Sequence, residues 1–283
     1  MASLNYTIRN MTRNDIKIAI DWAAIEGWNP GLYDAECFYS ADPNGFFIGE
    51  INNEPIATIS AVKYGDTFGF IGFYIVKPEY RGQGYGIQIW NAAMNYLHDQ
   101  NVGLDGVISQ QDNYKKSGFK LAYRNIRYEG ISGGQLFKNE QIVKLSDIPF
   151  EIIDSYDSQF FPDNRSTFTK SWVRQPKSNA LCILRDHKLL GYGVIRKCLN
   201  GYKIGPLFSN NSKFAESLFL ALTSSIKPSE PIYLDTPEIN QEAVALAESH
   251  DMKPVFETAR MYTVKSPELP LNQVFGVTSF ELG

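Results

Sequence analysis

Apolar and polar positions change period several times along the first 130 residues, and each change predicts an element. Residues 6–11 are expected as a strand. Residues 15–28 carry Ile16, Ile18, Ala19, Ile20, Ala23 and Ile25 close to helical spacing, so a helix is expected there. A turn, Trp28-Asn29-Pro30-Gly31, precedes a short helix over about 32–40. Apolar runs at 45–51, 55–64 and 68–76 are expected as strands, separated by the turn-forming pairs Asn52–Asn53 and Gly65–Asp66. Ile87, Trp90, Ala93, Met94 and Leu97 then share one face of a helix that opens from a glycine-rich loop and runs to about 99. A strand at 102–107, a short helix at 110–116 and a strand at 119–128 complete the unit. Strands on both sides of a helix that starts at a glycine loop predict an α/β or α+β layer with a mixed sheet and a ligand crevice at the helix start.

The pattern then returns. With a shift of 133 and no gap, Ile56 falls on Leu189, Val62 on Ile195, Lys63 on Arg196, and Ile71–Gly72 on Ile204–Gly205. The same shift lays Phe119, Lys120, Tyr123 and Arg127 over Met252, Lys253, Phe256 and Arg260. One register holding over some 75 residues marks an internal repeat. Two units of similar plan are expected, 1–130 and 140–283, joined across 131–139 near the glycine- and serine-containing stretch at 130–135.

Composition narrows the function. The chain of 283 residues is 43% apolar and 20% charged, a globular balance, and its formal charge of −4 argues against a phosphate-backbone binder. Cys37, Cys182 and Cys198 are widely spaced, and the three histidines (His98, His187, His250) are scattered, so neither a disulfide framework nor a metal site is expected. The segment at 1–10 has no apolar core of a signal peptide, and no apolar run approaches the roughly 20 residues of a membrane helix. A cytoplasmic location is the resulting expectation, with neither nucleic acid nor membrane as a partner.

The candidate chemistry sits in Arg81-Gly82-Gln83-Gly84-Tyr85-Gly86, directly after an apolar strand and at the start of a helix. Glycines let a ligand approach the backbone, and the first free amides of a helix carry partial positive charge, so this arrangement suits phosphate oxygens. The third glycine of a dinucleotide fingerprint is missing, because Gln88 and Ile89 follow, and no Gly-Lys-Ser/Thr completes a P-loop. Strand, then Lys-Pro-Glu-Tyr-Arg-Gly-Gln-Gly-Tyr-Gly, then helix resembles the acetyl-coenzyme A signature R/Q-x-x-G-x-G/A of the GNAT acetyltransferase superfamily. A second segment, Tyr114-Lys115-Lys116-Ser117-Gly118-Phe119, is similar to that family's Y-x-x-x-G-F, and lies 33 residues after Arg81. The whole layout resembles tandem-GNAT proteins with an active N-terminal lobe and a degenerate C-terminal lobe, each a central mixed sheet flanked by helices.

The resemblance implies roles. The amides of Gly82, Gln83, Gly84, Tyr85, Gly86 and Ile87, with Arg81 in the motif, would cradle the pyrophosphate of acetyl-CoA. Tyr74, Ile75 and Val76 would hydrogen-bond the pantetheine and acetyl carbonyl where the strands splay. Tyr114 would be the general acid toward sulfur, and a phenol with a reference pKa of about 10 can protonate a thiolate. Val107 stands where the family often has Asn, leaving Gln110 or Gln111 to take that contact. An amine acceptor also needs a base, and the candidates are Glu26 and Asp105. Trp28 and Glu26, with the second half, are expected to shape the acceptor site. The shift places Phe214, Ser217, Phe219 and Ala247 opposite Arg81, Gly84, Gly86 and Tyr114, so no cofactor loop is expected in the second half. The leading expectation is an acetyl-CoA-dependent N-acetyltransferase working by direct transfer to a small or protein amine. The alternatives are a non-catalytic acyl-CoA sensor and a nucleotide-binding protein.

Overall fold

A meander of apolar strands separated by asparagine and glycine turns forms one edge of the molecule in the computed structural model, which describes residues 5–134, 137 and 139–283. The first half contains β1 (Tyr6–Asn10), α1 (Ile16–Ile25), α2 (Asp34–Ala41), β2 (Phe46–Ile51), β3 (Glu54–Tyr64) and β4 (Phe68–Val76). It continues with α3 (Tyr85–Tyr96), β5 (Asn101–Val107), α4 (Gln111–Lys116) and β6 (Lys120–Ile131). The second half repeats the order as β7 (Ile142–Lys144), α5 (Phe150–Asp157), α6 (Ser166–Trp172), β8 (Ser178–Arg185), β9 (Lys188–Lys197) and β10 (Tyr202–Ser209). Then come α7 (Ser212–Thr223), β11 (Pro231–Pro237), α8 (Gln241–Ser249), β12 (Lys253–Tyr262) and a short extra strand, β13 (Val274–Gly276).

Helix α3 ends at Tyr96, short of the expected 99, and two further boundaries differ from expectation for clear local reasons. Helix α1 stops at Ile25, three residues short of the expected Trp28. Gly27 adopts φ +80°, and the amides of Gly27 and Trp28 close back on Ala24 O (3.0 Å) and Ala23 O (2.9 Å). That pairing is a Schellman stop, which a left-handed glycine permits. Strand β6 runs through Ile131 instead of ending near 128, because Gly130 and Ile131 pair with Ile232 and Pro231. The expected joint therefore begins inside a strand; Gln135, Leu136 and Lys138 of it lie outside the described residues.

The larger finding is the sheet order. All the strands join one mixed sheet, β1-β2-β3-β4-β5-β12-β6-β11-β10-β9-β8-β7, with β13 beside β10. The two halves exchange their closing strands: β12 pairs with β5 of the first half, and β6 pairs with β11 of the second. They also share a core, in which Phe38 of α2 lies against Phe168 and Trp172 of α6 at centroid distances of 6.5 and 5.7 Å.

The ungapped shift of 133 holds for β2–β4 over β8–β10 and for β6 over β12, but not in between. Eight residues separate β4 from helix α3, and only two separate β10 from α7. The structural counterpart of Gly84 is thus Asn211, not Ser217, and the loop itself has no counterpart in the second half.

Candidate active site

The cleft opens because two strands part. Strands β4 and β5 pair in parallel only from Phe68–Asn101 to Ile71–Leu104. Beyond that point β4 bulges, with Phe73 at φ +48°, and the sheet splits. The resulting cleft of about 630 Å³ is walled on one side by Tyr74, Ile75 and Val76, and on the other by Asp105, Gly106 and Val107. Arg81, Gly82, Gly84, Gly86 and Ile87 form its mouth, and Tyr114 and Gln110 reach it from α4 and the turn before it. Glu26 and Trp28 close it from the turn after α1.

Two expected residues do not face the cleft with their side chains. Gln83 donates to Glu79 O (2.8 Å), and Tyr85 packs on Tyr6 and Tyr80 with centroids 4.9 and 6.2 Å away. Their expected contribution is through backbone amides, which this leaves untouched.

The loop fits a phosphate group by its own geometry. Gly82 and Gly84 sit at φ +75° and +85°, and a Cβ on either would project into open space. Helix α3 has no side-chain cap. Among the described residues, no protein acceptor takes the backbone amides of 82–87. Helix α7 is the contrast: the Asn211 side chain accepts from Phe214 N at 3.0 Å and so caps the first turn that α3 leaves uncapped. We expect Gly84→Val to weaken CoA binding about tenfold or more, since its side chain would stand in the cradle, and to lower the melting temperature modestly, since a β-branched residue at this φ adds roughly 1–2 kcal/mol of strain. Titration calorimetry beside a melting curve checks both halves of this statement.

The acid candidate is buried and closely fitted. Tyr114 is 8% exposed, lies against Trp90 at 5.7 Å between centroids, and touches Gly106 so closely that any Cβ there would overlap its ring. Burial, helped by Tyr74, pushes its pKa up to about 12, so the hydroxyl keeps its proton at neutral pH.

The two base candidates are already engaged. Glu26 meets Arg81 Nη2 at 2.5 Å, while Arg81 Nε donates to Val76 O at 2.8 Å. This ties the turn after α1 to the cofactor loop. Asp105 is gripped at both oxygens by Arg260 of β12 (2.9 and 2.5 Å) and also accepts from Asn125 (2.8 Å). Its counterpart Asp235 is gripped the same way by Arg127 of β6, at 2.7 Å twice. Because the second copy lies in a half without the loop, the shared task of these pairs is to clamp the exchanged strands. The Arg260 pair accounts for the place of Asp105, expected as a candidate base, by a role it shares with Asp235.

Sequence reasoning missed Phe256, Thr258, Phe280 and Glu281, which also line the cleft. Phe256 and Thr258 come from β12, which strand exchange brings here, and Phe280 and Glu281 come from residues 277–283, packed against β4 at Gly72. A lone carboxylate between Phe280 and Leu282 in the otherwise uncharged stretch after 273 was the available signal. In the second half, the gap that would match the cleft is filled. Strands β10 and β11 pair in parallel only over Tyr202–Ile204, and β13 then inserts, pairing with Leu207 and Phe208.

The described residues contain no cluster of metal-ligand type and no helix long and apolar enough to cross a membrane. An acetyltransferase (GNAT) family profile matches residues 13–119, and an acetyltransferase (GNAT) domain profile matches 153–276. A holothin acyltransferase of Pseudoalteromonas sp. is 29% identical over 278 residues, covering 98% of this chain and 95% of that protein. A Pyrococcus horikoshii structure provisionally assigned as an acetyltransferase superposes with a TM-score of 0.84 at 21% identity, covering 100% and 98% of the two chains. A tandem GNAT protein from the clavulanic acid biosynthesis pathway superposes with a TM-score of 0.63 at 10% identity, covering 93% and 100%. With both halves matched and the cofactor-type loop set on a splayed sheet, this chain belongs to the GNAT superfamily as a protein with two GNAT regions in tandem.

Proposed function

We propose that this chain is an acyl-CoA-dependent N-acyltransferase that moves an acetyl group directly to a small, flat amine, with one active cleft in the first half. The observation that carries this reading is the uncapped amide row of 82–87 opening on the same cleft as Tyr114 and an aromatic wall. The relative named holothin acyltransferase, similar along nearly the whole chain, supports a small-molecule amine, and the aromatic lining of the cleft supports a flat one.

Each residue has a task in this reading. Gly82 to Ile87 hold the pyrophosphate with their amides, and the bulge at Phe73–Tyr74 frees backbone groups of β4 for the pantetheine arm. Acyl-CoA supplies an activated carbonyl carbon. Tyr114 Oη holds the proton that the departing sulfur needs. The second half acts as a scaffold: it lends β12 to the cleft and docks the turn after α1, where Trp28 O accepts from Lys203 of β10 (3.3 Å) beside Arg127 of the exchanged β6 (2.7 Å).

The test is CoA release with acetyl-CoA and longer acyl-CoAs against a panel of amines, beside calorimetry. One CoA per chain and amine-dependent release are expected. Two equivalent CoA sites would overturn the single-cleft reading, and binding without turnover would turn the enzyme into an acyl-CoA sensor. Trp28→Ala is expected to raise the acceptor KM while leaving CoA affinity in place; the docking atom is the Trp28 carbonyl, so the melting temperature falls only by what the ring's partial packing on the core is worth.

A further inference from the structure

Three carboxylates line the cleft, and two of them are held by arginines: Glu26 by Arg81 and Asp105 by Arg260. The third, Glu281, is 4% exposed, yet among the described residues it has no hydrogen-bond or ion-pair partner. Its place is fixed by its backbone. Glu281 O presses on Gly72, where any Cβ would overlap it, directly beside the β4 bulge at Phe73.

The flanking segment is pinned on both sides. Tyr64 donates to Leu282 O (3.0 Å), and Arg165 donates to Gly283 O (3.3 Å) and Thr278 Oγ1 (3.2 Å). Leu282 N closes on Ser279 Oγ (3.1 Å). A carboxylate held this firmly and left without a partner is poised for a ligand.

Resting on the N-acyltransferase reading, we infer that Glu281 is the base for the acceptor: it binds the amine N–H and takes its proton. As the nitrogen lone pair forms the C–N bond, the thioester C–S pair leaves with sulfur. The amine proton goes to a Glu281 oxygen, and sulfur takes the Tyr114 proton. Solvent then returns the proton from Glu281 to Tyr114, so amine plus acyl-CoA become amide plus CoA. Nitrogen bonded to an acyl carbon is far more acidic than a free ammonium, which lets an ordinary carboxylate serve.

The surroundings suit the task. Arg127, Arg196 and Lys203 act on Glu281 from β6, β9 and β10, but Asp235 and Asp34 pair with the two arginines. Lys203 donates only to Trp28 O (3.3 Å) and has no carboxylate partner among the described residues. Phe280, Phe256 and Trp28 line the same cleft, so the acceptor class is a primary amine on a flat apolar body.

The experiment uses the full chain with acetyl-CoA and a panel of planar aromatic primary amines, with holothin tested beside them. Glu281→Gln is expected to lower kcat about 100-fold, while CoA affinity and melting temperature stay at wild-type values. Glu281→Ala is expected to regain activity as formate is added, an effect that a packing role would not produce. Wild-type kcat in Glu281→Gln, or no formate response in folded Glu281→Ala, overturns the assignment while the N-acyltransferase reading stands. Wild-type enzyme without amine-dependent CoA release overturns both.

Discussion

Tyr114→Phe is expected to lower turnover by about 10²–10⁴-fold, the usual worth of a placed proton donor, with acetyl-CoA affinity nearly unchanged. The substitution removes one oxygen and leaves the ring that Gly106 and Trp90 enclose, so the fold should tolerate it. The missing proton matters when negative charge gathers on sulfur, which places the penalty on the transition state and spares ground-state binding. With the pKa of the phenol pushed up to about 12, ionisation of Tyr114 should not limit the wild-type rate anywhere near neutrality. Single-turnover measurements, where chemistry limits, make the comparison. An unchanged rate there would assign the hydroxyl to packing.

Asp105→Asn and Asp235→Asn should each destabilise the protein by about 3–5 kcal/mol, the cost of leaving one member of a buried ion pair without its partner. The stranded groups would be Arg260 and Arg127, both buried and both on exchanged strands. Equal losses in urea unfolding would mark the two pairs as twin clamps. If Asp105 were the transfer base, its variant would instead lose turnover at unchanged stability, and Asp235→Asn would not resemble it.

Acid should reproduce part of the loss. Burial alone would raise the carboxyl of Asp235, but the charge and hydrogen bonds of Arg127 outweigh it and hold it below its ordinary 3.8. A depressed folded pKa contributes stability that is fully present above the unfolded value. That contribution disappears as the pH falls below 3.8 through the folded value.

Much of the cleft was legible in the residues because its chemistry is local. The loop from Arg81 to Gly86 is one run of chain between a strand and a helix, so glycine spacing alone announces open backbone and free amides. Tyr114 was found through its separation from that loop. Glu26 and Asp105 were also read as cleft residues and do line it. Their partners were invisible, since Arg81 and Arg260 lie 55 and 155 positions away. A titratable side chain's role depends on what faces it, and facing is not a property of local sequence.

By itself, then, the sequence determined the repeat, the succession of strands and helices, the phosphate-type loop and its absence from the second half. All of these rest on short-range periodicity and on backbone preferences of glycine, proline and asparagine. Only the tertiary structure decided that the halves exchange their closing strands, that β13 fills the second gap, and that Glu281 arrives unpaired in the first cleft. The reason is that β6 and β12 carry nearly the same pattern and fit either half by local rules. Pairing across the molecule was settled by long-range contacts, among them the two buried arginine–aspartate clamps, which no window of neighbouring residues contains.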